Sequence, residues 1–557
     1  MLPLNIEEIR QLFSMGLLLK FILAGLLNAV MMIAISYKFL QIIQQTGYNG
    51  NEYFKWLFRK DNAYFNRLLM LSLLSVLGFL LVNMALSFID KSWVAYSGFL
   101  VYIFFLIIYF KGELKRKEKL PLVITKRMIR LIISYFILTI LFSVLLVILV
   151  NIVAIPFREN ILSNFRYGVL CFCPIFVPYL ILLAYYINNP LEKLIISKYI
   201  KNCKEKLTSY NNLIKVGITG SYGKTTVKEI LKTILSEKYK VVATPLSYNT
   251  PLGISKTVKR LDGTEDVFIA EMGARRVGDI KELTQIVNPQ IAVITGVTNQ
   301  HLSSFLTAEN IKKTKFELVE NMQDGKAVFS SDNIQTKEMK KECKVFSVLA
   351  GISKGGNPKV YADDIVCDEN GTTFTLHIRK ESVKCQTALM GKHNVSNICL
   401  AVAVADMLGL TMAEISSGIS RIKPIKHRLE LIKSPNGINI LDDSYNANPE
   451  GFKCALEVLN SFKNKKYVVT PGIVELGFQE NEINFNIGTQ LSKVADGVIL
   501  VGRARALRIR EGLLSCGYPT EKIKMVSNLE GAKEELKSIL KDGDVVLFAN
   551  DLPDKYL

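Results

Sequence analysis

The 557-residue chain is poor in several residue types on which common chemistries depend. It has nine cysteines, none in a CxxC pair, and the only close pair, Cys171 and Cys173, lies inside an apolar run. A disulfide framework or a structural zinc site is therefore not expected, and the polar part of the chain suits a reducing compartment. Histidines number only four. No Asp or Glu interrupts the middle of any long apolar run, so nothing resembles an ion or proton relay. The N-terminus lacks a short apolar core followed by a small-residue cleavage site, so the first apolar run is not read as a cleaved signal peptide.

What the chain has in excess is hydrophobic residues, 49%, and positive charge, +19. The hydrophobic excess falls before residue 190. Five stretches, about 17–37, 68–89, 92–110, 129–153 and 168–187, are long enough to cross a bilayer core, which takes roughly 20 helical residues. The charge is not a stripe for nucleic acid, and no nucleic-acid partner is expected. Much of it sits in loops: Lys38, Lys55, Arg59, Lys60 and Arg67 follow the first run, and KGELKRKEKL with Lys126, Arg127 and Arg130 follows the third. The positive-inside rule places those two loops in the cytoplasm and, after five spans, the remainder of the chain with them. The expected location is the plasma membrane, multi-pass, with the lipid bilayer as a partner. NNPLEKLIISKYIKNCKEKL, with a proline near its start and a basic amphipathic pattern, reads as an interfacial linker helix.

From residue 214 the pattern becomes strand, glycine-rich turn, helix: IKVGITG, SYGKTT, VKEILKTILSEK. This is the setting that a phosphate-binding loop requires. Gly220 and Gly223 free the backbone around Ser221 to turn N–H groups toward phosphate, at the positive end of the helix that Lys224, Thr225 and Thr226 open. Lys224 would reach the β/γ-phosphates of ATP, and Thr225 would hold Mg²⁺. Ile218 stands where the strict motif has its first glycine.

TGSYGKTT resembles the ATP-binding loop of the Mur ligase superfamily, ATP-dependent amide-bond-forming enzymes that include folylpolyglutamate synthase. Further blocks follow in that superfamily's order: SYNTPLGIS, FIAEMGARRVGDI, ITGVTNQHLSSF, IKKTKFELVENM, GKHNVSNICLAVAVA, KHRLELI and LDDSYNANPEG, covering about residues 212–557. EMGA and DDSYNANP look most like the branch that adds the D-Ala-D-Ala dipeptide. The resemblance implies an acyl-phosphate mechanism in which ATP activates a carboxylate for attack by an amine. It marks Glu271 and His301 as Mg²⁺ ligands and Lys315 as a lysine that, once carbamylated, joins them, with Lys312 and Lys313 close enough to confuse the register. Asn394 and Asn397 resemble adenine contacts, Arg428 a phosphate contact near a hinge, and Asp443 a carboxylate near the ribose, with Tyr445 and Asn446 beside it.

Two departures bear on the substrates. The spans occupy the place of the usual uridine-nucleotide domain, and the basic, serine-rich KGSR-type block near the C-terminus is missing. GRARALRIR at 502–510 is basic, in keeping with a solvated helix start. The absence of a four-cysteine cluster argues against the lipid-II amidation ligase.

The expected architecture is an α-helical membrane domain (1–190), a linker helix (191–211), an α/β central ATP-binding domain (212–421) with a β-rich insert around KVYADDIVCDENGTTFTLHI, and a Rossmann-like C-terminal domain (422–557). The expected activity is a membrane-anchored ligase of cell-envelope peptide synthesis, joining a carboxylate-bearing precursor to an amino acid or dipeptide. A poly-γ-glutamate-type polymer ligase and an ATP-driven transporter are the alternatives, the transporter opposed by the lack of an LSGGQ-like signature.

The orientation is testable. An impermeant maleimide applied to intact cells should modify a cysteine placed at Asn160 and spare one at Gly112; the reverse would put residues 212–557 outside, away from ATP.

Overall fold

The computed structural model describes residues 14–59, 62–86, 94–114, 120–154, 167–298, 305, 307–322, 324–368, 370–445, 448–474 and 476–550. The chain forms two compact units, divided between Ile195 and Ile196.

The first unit is helical. By length and composition four helices among the described residues could cross a membrane, over Met15–Ile35, Tyr64–Leu86, Lys126–Val153 and Gly168–Ser209. This is one fewer than the five expected; the remaining stretch, 92–110, falls on the helix Val94–Leu114, with residues 92 and 93 outside the described ones. Leu100, Leu141 and Val153 are 70%, 61% and 68% exposed, so the unit presents apolar side chains outward. Its polar side chains turn inward: Asn28 donates to Ser143 (2.9 Å) and accepts from Tyr102 (2.9 Å), all three on different helices.

The last helix corrects an expectation. Cys173–Ser209 is continuous, and Pro190 lies inside it rather than at the start of a separate linker helix. A proline there removes one backbone N–H from the helical ladder.

The second unit contains two sheets. In the first, β1 (Ile214–Thr219), β2 (Val241–Ala243), β3 (Val267–Glu271), β4 (Ile291–Ile294), β5 (Lys326–Ser330), β6 (Phe346–Gly351), β7 (Val360–Asp368), β8 (Gly371–Ile378) and β9 (Glu381–Thr387) are ordered β2-β3-β1-β4-β5-β6-β7-β8-β9. β1 to β6 pair in parallel, whereas β7, β8 and β9 pair antiparallel with one another. The stretch expected as a β-rich insert therefore extends the main sheet. The parallel strands read as continuous apolar runs because helices cover both faces, and β3 and β4 are buried at every residue.

In the second sheet, β10 (Glu430–Lys433), β11 (Asn439–Asp443), β12 (Lys466–Thr470), β13 (Gly497–Val501), β14 (Ile523–Val526) and β15 (Val545–Ala549) are ordered β10-β11-β15-β12-β13-β14, with only β10 antiparallel. GRARALRIR opens the helix Ala504–Ser515, where Arg505 pairs with Glu480 (3.5 Å) and Arg508 with Glu511 (2.7 Å).

Glu192 anchors the first unit near its division from the second. Arg130 grips it with two bonds (2.6 and 3.0 Å), Arg127 stands 3.7 Å away, and Glu192 keeps only 6% of its side chain exposed. Glu192→Ala should cost about 2–3 kcal/mol, less than the roughly 3–5 kcal/mol for a fully buried pair. The discount follows from the two arginines, whose side chains are 25% and 30% exposed to solvent. The check is a lowered unfolding temperature of the detergent-solubilised chain, with Glu192→Asp closer to the parent.

Candidate active site

The site forms where β1 and β3 end side by side. The pairing register sets Ile218 opposite Glu271, so the turn after β1 and the carboxylate that ends β3 emerge at the same edge. Because β1 lies between β3 and β4, strands diverge to either side of it, and the crevice outside the carboxyl ends opens there.

Two glycines shape the loop. Gly220 has φ +152°, and a Cβ there would collide with the Thr295 hydroxyl. Gly223 has φ +77°, and its Cβ would come 2.9 Å from Asn397 Oδ1. The loop is tied down from the side: Ser221 N donates to Gly296 O (2.7 Å), and the Ser221 hydroxyl accepts from Thr298 N (3.1 Å). Lys224 starts the helix Lys224–Leu235 and folds its ammonium onto the loop, donating to the carbonyls of Gly220 (2.7 Å) and Ser221 (3.3 Å). Thr226, two residues on, is buried.

Thr225 Oγ1 donates to Glu271 Oε2 at 2.9 Å. Glu271 is 1% exposed and also faces the fully buried Lys228 ammonium at 3.3 Å. Its other oxygen accepts from Asn249 Nδ2 (3.1 Å). Neither Lys228 nor Asn249 was among the residues singled out from sequence. Lys228 had a signal: it lies one helical turn beyond Lys224 and Thr225, on the same face.

Lys315 lies in the helix Ala308–Glu320 and is buried, 4% exposed, with its ammonium 5.9 Å from the Phe305 ring centroid. Burial first, and the nearby Lys224 charge second, bring its pKa down to about 7. Lys313 is exposed, and Lys312 pairs with Glu338 (3.1 Å) and Glu342 (3.4 Å). Of the three lysines, only Lys315 faces inward. Lys224 is likewise held at about 8, by burial chiefly and by Arg428, against the opposing pull of Glu271. Cations crowded into a dry site favour an anion that would relieve them.

Asn394 and Asn397 lie in the first turns of the helix Lys392–Met407, where both are buried; Asn394 donates to Met390 O (2.9 Å) and accepts from Asn397 (3.4 Å). The turn before β10 adds Arg428, whose guanidinium lies 4.4 Å over the ring of Tyr445, just past β11. Desolvation lowers the Arg428 pKa, with Asp443, Tyr445 and Glu271 opposing. Asp443 ends β11, and burial raises its carboxyl to about 6 despite Arg428. His301 and Asn446 lie outside the described residues. Among the described residues, no three His, Cys, Asp or Glu side chains group as a metal site.

Comparison with known proteins accords with this geometry. The family model "Mur ligase middle domain" matches residues 218–405, and "Mur ligase, glutamate ligase domain" matches 427–550. The chain is 28% identical over 338 residues to the UDP-N-acetylmuramoyl-tripeptide–D-alanyl-D-alanine ligase of Bacillus subtilis (strain 168), covering 60% of this chain and 72% of that one. It is 29% identical over 354 residues to the enzyme of the same name from Mycobacterium tuberculosis (strain ATCC 25618 / H37Rv), covering 60% and 69%. Among solved structures, MurF from Acinetobacter baumannii superposes with a TM-score of 0.58 at 25% identity, over 65% of this chain and 78% of that chain. MurF from Thermotoga maritima in complex with ADP gives 0.57 at 28%, over 64% and 80%. With both ligase domains matched in order and the phosphate loop built as such enzymes require, the chain belongs to the Mur ligase family of ATP-dependent, ADP-forming ligases.

Proposed function

We propose that this chain is a membrane-anchored ligase of peptidoglycan precursor synthesis. On this reading it joins the carboxylate of an envelope precursor to the amine of D-Ala-D-Ala or a related amino acid. The observation that carries the chemistry is the meeting of Lys224, Thr225 and Glu271 at one sheet edge with Arg428 from the turn that leads into the second sheet. The names of the relatives favour the dipeptide-adding reaction over the polymer-forming alternative. The apolar exterior of the first unit supports the anchor, since exposed leucines on long helices are stable when lipid covers them.

In the reaction, a donor carboxylate oxygen attacks the γ-phosphorus of ATP and the β–γ bridging bond breaks, giving acyl phosphate and ADP. The amine then attacks the acyl carbon, the carbon–oxygen bond breaks, phosphate leaves, and the nitrogen gives up a proton. Two anions must approach each other in the first step. Lys224 and Arg428 supply the positive charge that lets them do so, Arg428 with a planar fork suited to bridging oxygens. The loop N–H groups orient the phosphates, and Asn394, Asn397 and Asp443 line the place of the nucleoside. Thr225 and Glu271 fit Mg²⁺, a hard cation that takes few protein oxygens and keeps several waters. They would hold it together with His301 and a carbamylated Lys315. The metal would neutralise phosphate charge. Lys315 meets the condition for carbamylation: near pH 7 much of it is a neutral amine able to add to CO₂, releasing one proton.

Replacing Lys224 with Ala should lower ADP release at least about 100-fold, because its ammonium acts on developing phosphate charge. Far-UV circular dichroism should be unchanged, and retained turnover would remove the phosphate-loop assignment.

Lys315→Ala should lose most activity and regain part of it with acetate, which supplies an oxygen in the vacated space; Lys312→Ala and Lys313→Ala should do neither. Rescue by amines instead would mark a lysine that acts as a cation. A pH test is independent of turnover. With the folded pKa near 7 and the unfolded one near 10.5, the unfolded chain binds more protons between those values. In CO₂-free buffer without nucleotide, wild-type stability should therefore rise with pH across that window. Lys315→Met should be the more stable below pH 7 and lose that advantage above it.

A further inference from the structure

Glu271 is held by three donors, and two of them lead away from the phosphate loop to the segment 245–250. Lys228, besides facing Glu271 at 3.3 Å, donates to the carbonyl of Leu246. Asn249 holds the other carboxylate oxygen at 3.1 Å, and its own carbonyl accepts from Gly273 N (2.9 Å), two residues past β3. Leu246 has φ +48°, a left-handed conformation unfavourable for leucine, and its side chain is 76% exposed. Core burial therefore does not hold it in that shape; the bond from Tyr248 N to Pro245 O (3.0 Å), which closes the turn around it, and the grip of Lys228 on its carbonyl do.

The next residue makes the connection to the second sheet. Ser247 Oγ accepts from Tyr445 OH at 2.8 Å, across 198 residues of sequence. Tyr445 carries Arg428 on its ring at 4.4 Å, and Arg428 itself sits between two left-handed residues, His427 at φ +61° and Leu429 at φ +52°. A continuous set of contacts thus runs from Thr225 through Glu271, Lys228, Leu246, Ser247 and Tyr445 to Arg428.

We propose that Lys228, Asn249 and Ser247 are positioning residues of the ligase reaction, which make the seating of Tyr445 and Arg428 depend on the placement of Glu271. The proposal rests on the ligase reading given above. A nucleotide that fixes Glu271 fixes the 245–250 segment and so the seat of Tyr445. By reciprocity, a seated Tyr445 tightens the hold on nucleotide. The phosphate-binding charge of Arg428 is then delivered only when the carboxylate beside the phosphates is in place.

The test uses the full chain in detergent micelles and its binding of ADP with Mg²⁺, followed by calorimetry. Tyr445→Phe, which keeps the ring under Arg428, and Ser247→Ala should each weaken ADP by about five-fold, the range of one hydrogen bond. The double variant should be no weaker than either, since both remove the same bond. In a Lys228→Met background, or Asn249→Ala should the former not fold, Tyr445→Phe should have no further effect. Hydrogen exchange adds a readout that loss of packing alone would not move: ADP should slow the amides of 246–250 in wild type and slow them less in Tyr445→Phe. Unchanged ADP affinity in both single variants, additive losses, or equal slowing in Tyr445→Phe would each overturn the proposal. Failure of the wild type to bind ADP would overturn the ligase reading instead.

Discussion

The Glu271 carboxylate is the constraint around which the rest of the second unit is arranged. A carboxylate with 1% exposure is costly unless every lone pair finds a donor, and Thr225, Lys228 and Asn249 supply those donors from two separate stretches of chain. Each donor also fastens its own element: the phosphate-loop helix through Thr225 and Lys228, and the 245–250 segment through Asn249. The β1–β3 register then fixes where the carboxylate stands relative to the phosphate loop. A slip of one residue would turn Glu271 to the other face of the sheet.

Electrostatics and packing act together at this place. Lys224, Lys315 and Arg428 are all held below their ordinary pKa, first by desolvation, with Lys224 further lowered by Arg428 and Lys315 by Lys224. A fold that gathers cations in a dry crevice loses stability in doing so and gains it back when an anion arrives. Such a site is preorganised for polyanions in the sense that its dipoles and charges need little rearrangement. The strained backbone at Leu246, His427 and Leu429 lies on the same path between the two sheets, where surrounding contacts over-determine it.

The helical unit follows a different logic. Its core is closed by inward polar contacts among Asn28, Tyr102 and Ser143, while leucines face outward. In the ligase unit the apolar runs turn inward and the charges outward. The proposed membrane anchor accounts for this change of pattern along one chain, with lipid as the solvent of the first unit and water as that of the second.

The sequence by itself determined the class of the ligase half. Parallel strands buried on both faces read as apolar runs, the glycine-rich turn between strand and helix announced a phosphate loop, and the order of the blocks carried the resemblance. It also chose Lys315 over Lys312 and Lys313, but only by the position that the resemblance assigns, because three lysines within four residues are alike until burial distinguishes them. The count of spans came out one higher than the helices that meet the length and composition requirement among the described residues. Pro190 read as a helix start, since a proline's preference for the first turn is local while continuation through it is decided by packing. Tertiary structure alone decided that Lys228 and Asn249 hold Glu271 and that Tyr445 reaches Ser247. Those pairings span 43, 22 and 198 residues, and no local propensity or periodicity encodes which distant side chains a folded sheet edge brings within hydrogen-bonding distance.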